Sequence, residues 1–375
     1  MQLLQEHLIK KIKILYSVYP YGWGGQEQFL FAFLKHLDQS KFEPIIATFV
    51  STKFVKMFRP LGIPTFIVPL GDERSQPWID FIKQKKIHLV QMNALNIPLA
   101  VAARKAKISI LWRIGGCIDM AAKNLSPSRR KDYRDLISCL ADQIVCPSKF
   151  LASQFNKLGN SPVTHIYNGV DIAKINQLLE KTVTRPFRDS FSVAMVGHLR
   201  PQKRHFDFIH AAKKIHRKYP QSRFVIYGDH SVLPKDDLPY AHKLFQTIKS
   251  AGMGAYFSIE CSYRFLLQKL LKADVVVLPS INEGASVAIL EAMALGKPVV
   301  AANSGGNPEL VQHERTGLLV PPKNPNRLAK AIIYLLNHKQ QAKKMGNTAR
   351  RVAERFFDIS VSLKRYEKLY CQLTS

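Results

Sequence analysis

The feature that most constrains the fold is one repeated unit: a short apolar run, a break with glycine or proline, then a longer stretch with helical spacing. The first half contains the runs KIKILYSV (11–18), EPIIATFV (43–50), IHLVQMN (87–93), ISILWRIG (108–115), DQIVCPS (142–148) and VTHIYNG (163–169). The second half contains FSVAMVG (191–197), RFVIYGD (223–229), DVVVLPS (274–280), PVVAANS (298–304) and TGLLVPP (316–322). Near-continuous apolar strands that alternate with helices are typical of parallel sheets covered on both faces. We therefore predict an α/β fold with two doubly wound, Rossmann-like domains.

The length of 375 residues also favours two domains, because a single hydrophobic core stops growing at about 250 to 300 residues. The polar stretch KTVTRPFRDS (181–190) interrupts the repeats. We predict a first domain over 1–187, a second over 188–355, and a C-terminal helix over 356–375 that packs back on the first domain. A ligand shared by such domains is expected at the carboxyl ends of their strands.

The cysteines argue against both a disulfide framework and a zinc site, because they are odd in number, scattered and free of any C-x-x-C pair. A reducing cytoplasm fits them best. The N-terminal stretch lacks the uninterrupted apolar core of a signal peptide, and no run approaches the ~18 to 20 apolar residues of a membrane-spanning helix. We expect a cytoplasmic protein, soluble or peripheral on the inner face of a membrane. The five cysteines are Cys117, Cys139, Cys146, Cys261 and Cys371.

The net charge of +28 is unusual for a chain of this length. Residues 1–180 hold 24 Lys and Arg against 13 Asp and Glu, and the rest of the chain holds 31 against 14. The charge is therefore spread over both halves. Such a charge indicates attraction to polyanions in general, namely phosphorylated substrates, anionic lipid headgroups or nucleic acid, without choosing among them.

Two glutamates bracket the start of a predicted helix after the strand DVVVLPS. Glu283 precedes this helix and Glu291 lies in its second turn. The free backbone N–H groups at a helix start, together with the helix dipole, form a site for a diphosphate. A carboxylate before the helix can accept hydrogen bonds from sugar hydroxyls, and one inside it can bind both hydroxyls of a ribose. The N–H groups are those of Gly284, Ala285, Ser286 and Val287.

The residues alone leave an alternative open, since EAMALGKPVV is also an ordinary amphipathic helix that ends at Gly296, with solvated glutamates. The wider pattern E-G-x6-E-A-M-A-x-G-x-P-V-V-A, however, resembles the donor-binding signature of the retaining glycosyltransferases of family four, which have the GT-B fold. Further landmarks in the family's order are GWGGQEQFL, VCPSKFLASQF, IYNGVD, VGHLRPQKR, SGGNPELV and TGLLVPP.

This resemblance implies an NDP-sugar-dependent hexosyltransferase that retains the configuration of the sugar. It implies a lipid-linked or polysaccharide acceptor, as in cell-envelope glycan, glycolipid or lipopolysaccharide synthesis, and a reaction without metal or other cofactor. It puts Gly25 against the donor phosphates and makes Lys203, which follows Gly197 in one loop, the family lysine. The family arginine falls on His198, so Arg200 is the expected second cation. The competing interpretations are a simple turn at Gly25 and solvated basic side chains.

The first domain departs from the family, since many relatives have a histidine after the strand that here reads ILWRIGG. The departure leaves Arg113, or the N–H groups of Gly115 and Gly116, to contact the sugar; a plain strand end and turn is an equal alternative. Gln91 stands where a second histidine is common. The histidines of HFDFIHAAKKIHRKYP (205–220) have helical spacing and indicate a core-packed helix, not a metal site.

Two basic stretches with aromatic residues, FIKQKKIH (81–88) and KNLSPSRRKDYRDL (123–136), are candidates for contact with an anionic membrane that carries the acceptor. Solvated loops and helix faces explain them as well. A nucleic-acid-binding protein is the main rival in another class, but no nucleic-acid motif supports it and we expect no nucleic-acid partner. A sugar-nucleotide epimerase or a glycan phosphorylase would share the fold. An oxidoreductase is less consistent, because no G-x-G-x-x-G follows the first strand.

Overall fold

The computed structural model describes most of the chain, and the statements that follow concern those residues. They are 11–18, 24–48, 55–68, 75–115, 127–155, 161–181, 190–228, 237–260 and 265–375.

The first sheet has seven strands, all parallel, in the order β3-β2-β1-β4-β5-β6-β7. Its central strands are buried on both faces, as expected for near-continuous apolar runs covered by helices. The strands are β1 (Ile12–Ser17), β2 (Phe42–Thr48), β3 (Thr65–Ile67), β4 (Leu89–Met92), β5 (Ser109–Arg113), β6 (Gln143–Cys146) and β7 (Val163–His165).

The second sheet has six parallel strands in the order β10-β9-β8-β11-β12-β13. This is the Rossmann order, in which the chain moves outward from the first strand in one direction and then returns to its other side. The prediction of two doubly wound parallel sheets is confirmed. The strands are β8 (Ser192–Val196), β9 (Arg223–Tyr227), β10 (Phe257–Glu260), β11 (Val275–Leu278), β12 (Val299–Ala302) and β13 (Gly317–Val320).

Helices connect the parallel strands, as right-handed crossovers require. Short 3-10 helices cover Val55–Leu61 and Pro201–Lys203. The α-helices are α1 (Gly25–His36), α2 (Gln76–Lys85), α3 (Ile97–Lys105), α4 (Pro127–Leu140), α5 (Lys149–Phe155), α6 (Ile172–Glu180), α7 (His205–Lys218), α8 (Leu238–Ser250), α9 (Leu266–Leu270), α10 (Val287–Ala294), α11 (Asn307–Leu310), α12 (Pro325–Asn337), α13 (Lys339–Phe356) and α14 (Ile359–Thr374).

The chain forms two compact units, each with its own apolar core. The first unit contains Leu30–Ile166, strand β1 and Ser362–Ser375. The second contains Tyr167–Val361 together with the start of α1 as far as Phe29. Most of the stretch predicted to separate the domains, residues 182–189, lies outside the described residues, so the boundary at 187 stays a prediction.

The end of the chain belongs to the first unit through its aromatic side chains. The rings of Tyr366 and Tyr370 in α14 contact Phe33 edge-on, with centroids 5.1 and 6.4 Å away. Both tyrosines are buried, and the ring of Tyr370 also lies 5.6 Å from that of Phe42. An aromatic pair stabilises a fold by about 0.5 to 1.5 kcal/mol beyond the area it buries, so these contacts fix the end of α14 to α1 and β2.

Candidate functional site

The candidate site lies at the switch point of the second sheet. There β8 and β11 are neighbours, but the chain leaves them in opposite directions, toward β9 and β12. In open α/β sheets this divergence leaves a crevice at the carboxyl ends of the two strands, where ligands bind. The loop after β8 carries Lys203 and the loop after β11 carries Glu283, so the sheet itself brings these two predicted residues together.

Lys203 and Glu283 form an ion pair through Nζ and Oε1. Both side chains are mostly removed from water, with exposed fractions of 17% and 13%. Gly197 leaves room for the side chain of Lys203, because a Cβ atom at this glycine would lie only 3.0 Å from Lys203 Cδ. The pair therefore presents a positive and a negative group side by side at the carboxyl ends of β8 and β11. Because solvent screens charges only weakly there, each group interacts strongly with a bound ligand.

Backbone contacts hold the loop of Glu283 in place. The N–H group of Ile281 donates to the carbonyl of Gln202 at 2.9 Å, which ties the loops after β8 and β11 together. The N–H group of Gly306 donates to the carbonyl of Glu283 at 2.8 Å. Gly305 has φ +62°, and a Cβ atom there would lie 2.8 Å from the backbone nitrogen of Glu283. Only glycine fits this close approach without strain.

Two helices begin beside this loop. The residues before and at the start of α10 are buried, and within the described part of the chain the N–H groups of 284–287 donate no hydrogen bond. Gly25, the first residue of α1, lies against Val287, because a Cβ atom on it would be 3.2 Å from Val287 Cβ. Two positive helix ends thus lie close together, and the N–H groups at the start of α10 are unused within the described chain, which suits a diphosphate. The predicted residues Gly284, Ala285, Ser286, Val287 and Gly25 all contribute to this arrangement.

Glu291 lies inside α10 with only 8% of its surface exposed. Burial raises the pKa of its carboxyl from 4.5 to about 8, while the ammonium of Lys174 in α6 acts in the opposite direction. At neutral pH the group is therefore mainly protonated, and it can donate one hydrogen bond as well as accept one. The alternative of a solvated glutamate at this position is wrong.

The other residues of the loop after β8 have structural partners. Arg200 Nε lies 3.1 Å from Oδ2 of the buried Asp237, which precedes α8. His198, at the position of the family arginine, lies beside Gly24, where a Cβ atom would be 2.8 Å from its Nε2. His205 is buried and its pKa is lowered to about 3 by burial, so it is neutral. Its Nδ1 lies 3.2 Å from Tyr240 Oη.

The histidines of α7 lie in a helix whose apolar side packs in the core of the second unit. Among the described residues no cluster of three or more His, Cys, Asp or Glu side chains could hold a metal ion. The ring of His216 stacks on that of Tyr256, with centroids 3.5 Å apart.

Arg113 lies in the first unit, at the end of β5, with 2% of its surface exposed. Its guanidinium hydrogen-bonds to Tyr366. Burial raises the pKa of this tyrosine, the arginine partly opposes the rise, and the resulting pKa is about 12. Gln91, in β4, is equally buried and accepts a hydrogen bond from the hydroxyl of Tyr370. Both side chains thus contact α14. Gly115 is described, whereas Gly116 lies outside the described residues.

The sequence marked the segment IYNGVD as a family landmark but did not reveal its contacts. Asn168 Nδ2 donates to the carbonyl of Ala285 at 3.0 Å, directly before α10. The hydroxyl of Tyr167 donates to Glu309 Oε2 in α11 at 2.9 Å. These partners are more than one hundred residues away in sequence, so the motif itself was the only available signal.

The basic stretches predicted to meet a membrane are described only in part. In the first stretch Lys85 lies over the ring of Phe66, with Nζ 4.4 Å from its centroid. Of the second stretch, residues 123–126 and the side chains of 127–131 lie outside the described residues. Among the described helices, none has both the length and the apolar character needed to cross a membrane.

Two family models match the chain in succession. The model for Glycosyl transferases group 1 matches residues 177–352. The model for Glycosyltransferase Family 4 matches residues 23–174. The first match covers the switch point with Lys203, Glu283 and Glu291, and the second begins just before Gly25.

Curated relatives support the same family. A UDP-Gal:alpha-D-GlcNAc-diphosphoundecaprenol alpha-1,3-galactosyltransferase of Escherichia coli is 34% identical over 185 residues, 47% of this chain and 46% of that protein. A GDP-mannose-dependent alpha-(1-6)-phosphatidylinositol monomannoside mannosyltransferase of Mycobacterium tuberculosis is 31% identical over 168 residues, 42% of each chain. The chain thus matches about half the length of the curated relatives.

Solved structures share the fold over nearly the whole chain. Anabaena HepE, solved with UDP and glucose, has a TM-score of 0.82 at 21% identity and covers 96% of this chain and 100% of its own. A glycosyltransferase from Rickettsia africae has a TM-score of 0.79 at 20% identity, with 97% and 99% covered. The two parts of the chain are thus similar in sequence to glycosyltransferases of group 1 and family 4, and its fold is that of the GT-B glycosyltransferases.

Proposed function

We propose that this protein transfers a hexose from an NDP-sugar to a lipid-linked or glycan acceptor and retains the configuration at the sugar carbon. The observation that carries the proposal is the ion pair of Lys203 and Glu283 beside the two helix starts at the switch point. Positive and hydrogen-bonding groups for a diphosphate, and a carboxylate for sugar hydroxyls, occur there within one unit.

The donor would bind with its diphosphate on the N–H groups of 284–287 and beside Gly25. Lys203 would hold a phosphate oxygen as a point charge. Glu291, one helical turn further into α10, would hydrogen-bond the ribose. Because its carboxyl is mainly neutral at pH 7, it can donate to one ribose hydroxyl oxygen and accept from the other.

In the proposed reaction the acceptor hydroxyl attacks the sugar carbon on the face from which the diphosphate leaves. The bond between this carbon and the phosphate oxygen breaks, and the acceptor proton passes to the leaving phosphate. Lys203 stabilises the charge that develops on this phosphate, and Glu283 orients the sugar by accepting from its hydroxyls. Lys203 and the two helix starts provide the positive charge, so we propose a reaction without metal or cofactor.

Arg200 and Arg113 stay predicted contributors to the transition state. Arg200 lies in the loop of Lys203 and would add a second cation near the leaving phosphate. To do so its guanidinium has to release Asp237. Arg113 would contact the sugar only after losing part of its burial against α14.

The names of two relatives support a lipid-linked acceptor. The relative from Escherichia coli is named for a sugar on diphosphoundecaprenol, and that from Mycobacterium tuberculosis for phosphatidylinositol monomannoside. The net charge of +28 would favour such acceptors, because they carry phosphate and lie in anionic membranes.

The test begins with a thermal-shift screen of UDP, GDP, ADP and their common sugars, followed by transfer to a lipid-diphosphate-linked sugar with and without EDTA. We expect one nucleotide to stabilise the protein, and transfer to yield the retained anomer by NMR at the same rate in EDTA. The K203A variant should lose about a hundredfold in kcat, because a charge at the leaving group is lost. The control K269A removes another Lys–Glu pair of the same unit, with Glu260, and should stay within twofold.

Three outcomes would contradict the proposal. A protein that no nucleotide stabilises, and whose E291A variant behaves like wild type, has no donor site here. Turnover of a nucleotide sugar without acceptor would instead indicate an epimerase. Salt-sensitive retention on DNA that nucleotide sugars leave unchanged would indicate a nucleic-acid-binding protein.

A further inference from the structure

The segment where the chain enters the second unit contacts the predicted donor-binding loop directly. Asn168 is 3% exposed, and its Nδ2 donates to the carbonyl of Ala285 at 3.0 Å. Ala285 is itself buried and stands between Glu283 and the start of α10. A buried side-chain amide aimed at one particular carbonyl defines the position of that carbonyl, since losing the bond would leave polar groups unpaired in the interior.

The planarity of the peptide bond extends this constraint to the phosphate-binding groups. The carbonyl of Ala285 and the N–H group of Ser286 belong to one peptide unit, in which they point in opposite directions. When Asn168 holds the carbonyl on its own side, the N–H group of Ser286 must point away from Asn168. This N–H group is one of those that donate no hydrogen bond within the described chain and that begin α10.

Tyr167 supports the same loop from its other end. Its hydroxyl donates to Glu309 Oε2 in α11 at 2.9 Å, and its ring packs edge-on against Phe357, with centroids 5.5 Å apart. Gly306, which precedes α11, donates its N–H group to the carbonyl of Glu283 at 2.8 Å. Tyr167 thus holds the short helix whose first turn fixes Glu283.

The rest of the segment is fixed as firmly. Val170 donates to the carbonyl of Phe357 and accepts from the N–H group of Ile359, both at 2.9 Å. Asp171 caps α6 by accepting from the N–H group of Lys174 at 2.9 Å. The anchoring of Tyr167 and Asn168 therefore does not depend on the loop that they contact.

We propose that Tyr167 and Asn168 are positioning residues for the donor: they set the direction of the Ser286 N–H group and the place of Glu283. This inference rests on the proposed function, because it concerns the same nucleotide. Neither side chain needs to touch the donor. Losing either contact also costs stability, so the effect that identifies a positioning role is a loss of donor affinity with an unchanged affinity for the acceptor.

The decisive variant is N168D, which keeps the size of the side chain but replaces the N–H donor with an oxygen that faces the Ala285 carbonyl. N176D is the matched control, because Asn176 in α6 only accepts, from Arg350 at 2.8 Å, and an aspartate can still accept there. Both variants add the same charge to the same unit. The measurements are the Kd of UDP and GDP by calorimetry, the KM values of donor and acceptor, and the Tm without ligand.

We expect N168D to raise the nucleotide Kd and the donor KM about tenfold, with an unchanged acceptor KM, while N176D stays within twofold. Y167F, which removes only the hydroxyl that donates to Glu309, should raise the same two values about threefold, and it decides the question if N168D does not fold. If the wild-type protein binds a nucleotide, and N168D and Y167F leave both the nucleotide Kd and the donor KM unchanged, the inference is overturned and the proposed function stands. A wild-type protein that binds neither nucleotide overturns both.

Discussion

At the scale of single residues, Glu291 is informative because its burial determines its charge. A carboxylate with the raised pKa of about 8 favours the folded state when protonated and opposes it when ionised. The unfolded chain has the ordinary pKa of 4.5 and holds fewer protons between the two values. The stability from this group is therefore fully present below pH 4.5 and is lost as the pH rises toward 8.

The E291Q variant should remove this loss. We expect the free energy of unfolding of wild type to fall relative to E291Q as the pH rises from 5 to 8, by about 1 kcal/mol per pH unit. The measurement is urea unfolding of both proteins at four pH values in that range. E180Q, at an exposed glutamate of α6, is the control and should run parallel to wild type. An E291Q curve that runs parallel to wild type as well would show that Glu291 is ionised throughout.

The residues of the site differed in how far the sequence could predict them. The structure brings Lys203 and Glu283 together, and the sequence could predict this because each follows a strand that adjoins the switch point. The sequence could not show that Arg113 is buried against Tyr366, since these two residues meet only after α14 has packed. For the same reason no local pattern assigned Asn168 to the carbonyl of Ala285, 117 positions further along the chain.

At the scale of elements, α10 depends on α13 for its position. Gly346 of α13 lies directly on the carbonyl of Gly296, which follows α10, and a Cβ atom at Gly346 would also be 2.9 Å from the Gly296 carbonyl carbon. Gly296 has φ +67°, the left-handed conformation that ends a helix. The backbones of α10 and α13 thus meet at the end of α10, the helix that carries Glu291.

This contact predicts an inverted effect of a common stabilising change. Glycine to alanine inside a helix normally stabilises it by about 1 kcal/mol. G346A should instead lower the free energy of unfolding by about 2 kcal/mol, because a close-packed backbone contact must open. N347A, one residue further on and exposed, is the control and should stabilise slightly. Urea unfolding of wild type, G346A and N347A gives the sign of each change in the free energy of unfolding. A G346A variant more stable than wild type would disprove the contact.

The strands show which elements a sequence pattern can reveal. Every apolar run of the sequence analysis contains a strand. Most of these strands are central ones, which are buried on both faces and must be apolar throughout. No apolar run predicted β3 and β10, which lie at the edge of their sheets, as the predicted strands β7 and β13 also do. Exposed side chains are common on edge strands, such as Ile67 in β3 with half of its surface in water, so their pattern is not one of a buried run.

At the scale of the whole molecule, the two-sheet fold could be predicted because it repeats one local unit. The last helix was also expected on the first domain, and Ser362–Ser375 does belong to the first unit although it directly follows the second in sequence. Tertiary contacts alone determine this, through buried tyrosines that pack on Phe33 and Phe42. Composition reveals the charge of the molecule but not the faces that carry it.

The exposed face of α13 is one such basic face. Lys343, Lys344 and Arg351 are all exposed there, and Glu354 is the acidic residue among them. Because the protein has a net charge of +28, it should make many weak contacts with an anionic surface at once. Each basic residue near the membrane contributes about 1 kcal/mol. Attraction of this kind is electrostatic, so it must weaken when salt shortens the screening length.

We therefore expect the protein to sediment with vesicles that contain phosphatidylglycerol at low salt and to be released at about 0.5 M salt, where charges are screened within a few ångströms. Vesicles of phosphatidylcholine alone should leave it in solution. The K343E/K344E/R351E variant should bind the anionic vesicles more weakly and keep its Tm, because all three side chains are exposed. Equal binding to both kinds of vesicle would show that apolar contacts hold the protein at the surface. Binding that salt leaves unchanged would exclude the net charge as its cause.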